Sequence, residues 1–287
     1  MNFRKGLSVR KELKDQREYK GRKKENLIIN QIKQYIMIKI IVHVTKVILA
    51  VITTLLVSSC SFTDKNGSFF GSEHVSGSGN VVTQNRDVTQ NFSYISAKNG
   101  LRVYVEQGSK TSITVEADDN LQEHIITEIE DDELVIYTDA NIDNAEAKRI
   151  TVTLPEIKGL AASSSALLKS NSVLKSETLN LSTSSGSNLN VAVEANNVTC
   201  ESSSGSRMTV QGNTAELTTD SSSGSNLDAK GLTAKYVTSE SSSGSHVAIN
   251  PSKSLEAKAS SGSHISYKNV PKQIKVKTSS GGSINEN

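Results

Sequence analysis

Six glycines punctuate the last third of this chain at almost constant spacing: Gly186, Gly205, Gly224, Gly244, Gly262 and Gly281. The steps between them are 19, 19, 20, 18 and 19 residues. Five stand in a Ser-Ser-Gly-Ser tetrad, and the sixth reads Ser-Ser-Gly-Gly. A fixed period near 20 predicts a solenoid, in which each repeat buries its apolar face only against its neighbours. The spacing constrains architecture far more than activity, because fold alone does not dictate function.

Counting from each glycine exposes the inner columns. Seven residues before it stand Leu179, Val198, Leu217, Val237, Leu255 and Ile274. Three residues after it stand Leu189, Met208, Leu227, Val247, Ile265 and Ile284. Five before (Leu181, Cys200, Thr219, Ser239, Ala257, Val276) and five after (Val191, Val210, Ala229, Ile249, Tyr267) complete two strand segments per coil. Stacked about 4.8 Å apart, such columns become internal ladders. Burial of each large side chain contributes about 1.5–3 kcal/mol. Strict alternation points positions −3, −1 and +1 inward as well, and these are almost all Ser, Thr or Ala. Unpaired buried hydroxyls cost about 1–3 kcal/mol each, so stacked serines must bond one another or the backbone. The other arrangement is an exposed turn that carries the whole tetrad. A weaker coil, without the glycine, surrounds Leu160, Ala162, Ser165 and Leu168.

Charge divides the chain. Residues 1–59 hold 13 Lys/Arg against 4 Asp/Glu, a net of +9, and residues 60–287 hold 19 against 26, a net of −7. An acidic body without Trp and with 4% aromatics argues against nucleic acid as a partner. Two cysteines, Cys60 and Cys200, supply no disulfide framework. Cys200 reads as a small, buried, inert thiol.

The basic end reads as an address. Residues 47–57 run without a charge, preceded by Lys39 and Lys46 and followed by Val57-Ser58-Ser59-Cys60. Basic region, apolar core and small residues are the layout of a secretory signal. The last four residues resemble the bacterial lipobox, in which the cysteine is lipidated. The uncharged run of 11 residues is short of the roughly 20 that a spanning helix needs. The expected organisation is therefore a mis-called extension over 1–36, a lipoprotein signal over 37–59 and lipidation at Cys60. A flexible Ser/Gly tether over 60–79 and a folded body over 80–287 follow.

The first part of the body reads as strand after strand. Phe92, Tyr94 and Ala97 are the expected apolar positions of 91–97; Leu101, Val103 and Val105 alternate next, then Ile113, Val115 and Ala117. Leu134–Tyr137 and Ile150, Val152 and Leu154 continue the pattern. Residues 121–130 lean to strand, 139–147 to loop, and the charge run Glu128–Glu133 to a solvated hairpin turn.

Several of these stretches carry a family resemblance: Phe92-Ser93-Tyr94-Ile95, Gly100 to Gly108, Val115-Glu116-Ala117-Asp118-Asp119-Asn120-Leu121, Leu134 to Tyr137 and Val152 to Ile157. Together with the Ser-Gly-Ser repeats they are similar to the family called putative auto-transporter adhesin, head GIN domain. The resemblance implies an exported bacterial protein, often a lipoprotein. The fold it implies is a right-handed parallel β-helix with a mixed-β opening section. It implies no catalytic residue, and adhesion is itself an inference in the family's name. One departure is Ala162-Ser163-Ser164-Ser165, where the family usually has a glycine, which predicts a looser turn.

Two sets of outward residues are candidate sites. Position −4 gives Glu201, Asp220 and Glu240 on successive coils, where like charges about 4.8 Å apart repel by roughly 0.9 kcal/mol in water. A Ca²⁺ ion would relieve this; a solvated acidic face is the simpler reading. Position +2 gives His246 and His264, adjacent in the stack and without an evident third ligand. Neither set amounts to a metal site, no cofactor is expected, and no nucleophile–base pairing marks a catalytic centre. The expectation is a lipid-anchored envelope protein, on the periplasmic or surface face of the outer membrane. Its solenoid surface would bind or scaffold, with glycan or another envelope protein as partner. The alternative is a carbohydrate-active enzyme of the lyase or hydrolase kind on a β-helix.

Overall fold

The computed structural model describes residues 74–287. The extension over 1–36, the signal over 37–59, Cys60 and most of the tether lie outside the described residues. One compact unit, Gly71–Asn287, contains the body. It is a parallel β-solenoid of about seven turns with a mixed-β opening section.

The opening section comprises β1 (His74–Val75), β2 (Val81–Arg86), β3 (Tyr94–Ala97), β4 (Arg102–Gln107) and β5 (Ser112–Asp118). Then come β6 (Ile125–Glu130), β7 (Glu133–Thr138), β8 (Asn141–Ile142) and β9 (Lys148–Leu154). The coils follow as β10 (Gly159–Ala162), β11 (Leu167–Thr183), β12 (Asn188–Ser202), β13 (Arg207–Ser221), β14 (Asn226–Ser241) and β15 (His246–Ala259). Shorter strands β16 (His264–Tyr267), β17 (Gln273–Thr278) and β18 (Ser283–Glu286) end the stack.

From β10 onward every pairing is parallel, and the repeat register is kept: Leu189 lies beside Met208, Met208 beside Leu227, Leu227 beside Val247 and Val247 beside Ile265. These ladder residues are buried, as the period-two reading requires. The last coil differs. Ile274 and Val276 hold inward positions but are exposed, because in the structure no further coil lies over β17.

The turns settle where the tetrad points. Ser185 and Gly186 both have positive φ, +51° and +69°, and the Ser187 N–H donates to the Ser184 carbonyl at 3.1 Å. Two left-handed residues in a row interrupt strict alternation. Position −1 is therefore exposed in every coil rather than inward, whereas −3 and +1 are buried from Thr183 to Ser263. The degenerate turn at Ser163–Ala166 is not looser. Ser164 and Ser165 adopt φ +50° and +63°, and the Ala166 N–H still bonds Ser163 O at 3.1 Å.

In the opening section β5 pairs antiparallel with β2 and β9, and β6 with β7. The charge run forms the β6–β7 hairpin, with Asp131 and Asp132 at φ +46° and +69° in its tight loop. Residues 119–121 form a 3-10 turn, so strand starts only at Ile125. The stretch 139–147 is loop apart from the two-residue β8.

The body begins before residue 80. β1 pairs β8, and the buried Asp118 carboxylate accepts the Gly79 N–H at 2.8 Å and the Ala147 N–H at 2.9 Å. Asn120 binds the backbone of Ser78 and Ser76. The Asp118-Asp119-Asn120 run is thus a clamp on the segment that leads into the solenoid.

Candidate functional site

Each coil shows outward side chains on flat walls, and register assigns them to columns. The wall carrying positions −6 and −4 aligns Glu133, Tyr94, Gly159, Asn180, Thr199, Thr218, Thr238, Glu256 and Lys275. Beside it run Ser96, Ala161, Ser182, Glu201, Asp220, Glu240, Lys258 and Lys277.

Small residues in the first coils hollow this wall. The ring of Tyr94 lies over Gly159, where a Cβ would come within 2.3 Å of Tyr94 Cδ1. Ala161 and Ser182 continue the low floor. The result is a shallow groove of about 180 Å³, rimmed by Tyr94, Glu133, Asn180, Thr199 and Glu201. An aromatic face beside amide, hydroxyl and carboxylate groups suits a ligand that is apolar on its faces and polar at its edges. Further along the wall Tyr236, 48% exposed, stands by Thr238, Glu256 and Lys275 around a second depression.

Tyr94 departs from the alternation read in the sequence. Ile95 and Ala97 point inward with Phe92, and Tyr94 points outward. The reason is local: the N–H groups of Ser93 and Tyr94 both donate to Asp132 O, at 3.0 and 3.1 Å, which resets the strand phase just before β3.

Glu201, Asp220 and Glu240 do stack on consecutive coils. The column then changes sign: Lys258 Nζ sits 2.7 Å from Glu240 Oε1. In the neighbouring column Lys275 Nζ sits 2.8 Å from Glu256 Oε1, and the Lys275 hydrogen bond holds the Glu256 carboxyl below its ordinary range. Lys258 thus offsets the charge of Glu240 at one end of the acidic row, while Glu201 and Asp220 face each other at its other end. His246 and His264 are adjacent, with ring centroids 6.1 Å apart, and His264 Nδ1 pairs with Ser283 Oγ at 2.8 Å. Among the described residues no three His, Cys, Asp or Glu side chains gather closely enough to hold a metal ion. Cys200 is fully buried, and burial pushes its thiol up to about 12, so it stays protonated at neutral pH.

Four of the serines that follow the repeat glycines are structural. Ser187, Ser225, Ser245 and Ser263 each donate a hydroxyl to the carbonyl of Ala162, Ser202, Ser221 and Ser241 one coil earlier, at 2.7–2.8 Å. Their hydroxyls are spent on the fold and offer no nucleophile to the surface.

Residues 91–271 match the family model described as putative auto-transporter adhesin, head GIN domain. A search of curated proteins finds no match. Among solved structures, a putative adhesin from Bacteroides fragilis superposes with a TM-score of 0.70 at 20% identity, over 74% of this chain and 99% of its own. A putative adhesin from Parabacteroides merdae gives 0.61 at 20% identity, over 75% and 99%. A putative lipid binding protein from Parabacteroides distasonis gives 0.61 at 18% identity, again over 75% and 99%. At these identities the likeness establishes the fold. Those chains consist almost wholly of the region equivalent to this body, so a solenoid of this kind folds by itself.

Proposed function

This chain belongs to the putative auto-transporter adhesin, head GIN domain family, and from that premise we propose that it is a lipid-anchored adhesin of the cell envelope that holds glycan on its −6/−4 wall. The fold and family support the adhesin-like role. The lipid anchor rests on the lipobox-like Val57-Ser58-Ser59-Cys60. The observation that carries the glycan reading is the Tyr94 groove.

A sugar ring presents apolar C–H faces and polar edges. The Tyr94 ring supplies an apolar platform, and Asn180, Ser182, Thr199 and Glu201 supply donors and acceptors at the rim. The wall is stiff because each strand is hydrogen-bonded above and below, so little ordering cost falls on binding. Its polar ladder repeats at about 4.8 Å, a spacing suited to a repetitive partner.

A glycan array probed with fragment 71–287 and with its Tyr94→Ala variant tests the reading, run beside a lyase and hydrolase screen. Neutral-glycan binding lost in the variant, with no product released, is the expected result. Product release would favour the carbohydrate-active enzyme instead, and an array without signal would remove the glycan. For the anchor, Cys60→Ala in the full chain should shift the protein from the membrane to the soluble fraction.

A further inference from the structure

The opposite charge logic governs a second wall, the one carrying positions +2 and +4. There Arg149 lies beside Arg102 in register, and two neutral positions, Leu167 and Asn188, separate Arg102 from Arg207. Lys169 stands in the adjoining column. All four cations are exposed. The span from Arg149 to Arg207 is four strand steps, about 19 Å.

Their neutralisation is incomplete. Arg149 has Glu116 at 3.9 Å and the Tyr104 ring 5.0 Å beneath its guanidinium. Asp228, the carboxylate of the +4 column, is taken up by Lys230 at 3.8 Å. Among the described residues Arg102, Lys169 and Arg207 have no carboxylate within salt-bridge distance. On the other wall the fold matches Glu240 to Lys258 and Glu256 to Lys275 across coils. Here Arg102, Lys169 and Arg207 stand beside a cation, an amide or an uncharged side chain, and their charge is left to be met from outside.

We propose that this strip binds a linear carboxylate-bearing polysaccharide, a uronate chain, laid along the solenoid axis. Three features select that ligand. The arginines follow one column rather than spreading over a plane, which fits a chain better than a lipid surface. Asn188, Asn190 and Thr209 lie in the strip between the cations, where sugar hydroxyls would need partners. Guanidinium forks bind carboxylates in bidentate fashion. Residues 60–287 are net −7, so the body as a whole disfavours a polyanion and the attraction must come from local cations such as those of the strip. The inference does not rest on the Tyr94 groove, which occupies the other wall.

The test uses fragment 71–287 on a sensor bearing polygalacturonate, with dextran, inorganic polyphosphate and phosphatidylglycerol vesicles as comparison surfaces. The expected result is binding to polygalacturonate above all three. It should weaken with added salt and fall at least tenfold in an Arg102→Gln, Arg207→Gln double variant that melts like the parent. Glu240→Gln should leave it unchanged. Absence of polygalacturonate binding, binding indifferent to the double variant, or equal retention on polyphosphate or vesicles would overturn the proposal. If the double variant melts early, Arg207→Gln alone, at the exposed start of β13, decides by the same readout.

Discussion

Ser245 Oγ donates to the carbonyl oxygen of Ser221, one coil earlier, at 2.8 Å, while it lies 2.7 Å from Ser241 Oγ on its own coil. The same pair of contacts recurs where Ser225 meets Ser202 O and Ser221 Oγ. The serine-rich corner is thus a buried polar ladder that fastens each coil to the one before it.

A buried hydroxyl stripped of its partner costs more than a pair removed together. Ser245→Ala should destabilise the body by about 1–2 kcal/mol, and adding Ser241→Ala should cost little or nothing further. Chemical denaturation of the single and double variants checks this. Strictly additive losses would refute the coupling.

Ser165 holds a left-handed backbone at φ +63° without the glycine that fills this place in later coils. A left-handed L-residue costs about 1–2 kcal/mol, and the greater unfolded freedom of glycine returns part of that. Ser165→Gly should therefore stabilise by about 0.5–1 kcal/mol, visible as a raised midpoint in denaturant.

Asp118 ties Gly79 and Ala147 to the clamp at the start of the body. The Ala147 N–H, before other causes, holds its carboxyl below the ordinary range, with burial opposing. A depressed folded value means the stabilisation is complete above the unfolded value of about 3.9 and is lost as pH falls through the folded one. The protection factors of the Gly79 and Ala147 amides, relative to their intrinsic exchange at each pH, should fall below about pH 4 in the parent, whereas Asp118→Asn should show little protection there already at neutral pH.

Leu227 is 1% exposed in the inner ladder between Met208 and Val247. Leu227→Asp places an unpaired charge in that core, which costs several kcal/mol. Its melting curve should collapse, and a wild-type curve would contradict the inward ladder.

The coils were largely legible in the sequence because period two and the repeat of 18–20 residues both act on side-chain burial, and Leu179, Leu227 and Ile265 obey both. Position −1 was not, since two successive left-handed residues, Ser185 and Gly186, turn the chain without keeping the alternation. Tyr94 was missed as a site residue for a related reason: the paired bonds to Asp132 O shift the strand by one. The basic strip was hidden by topology. Arg149 and Arg102 stand far apart in sequence and meet only through the parallel pairing of β9 with β4, outside the repeats. The lysine partner of Glu240 was available, because Lys258 occupies the same −4 position one coil on.

A crystal of fragment 71–287 soaked with the strongest neutral glycan found on the array tests the central claim most directly. The predicted result is a sugar ring stacked on Tyr94, with its edges on Asn180 and Glu201. A ligand seated away from that wall, or a groove that stays empty while glycan binds in solution, would contradict it.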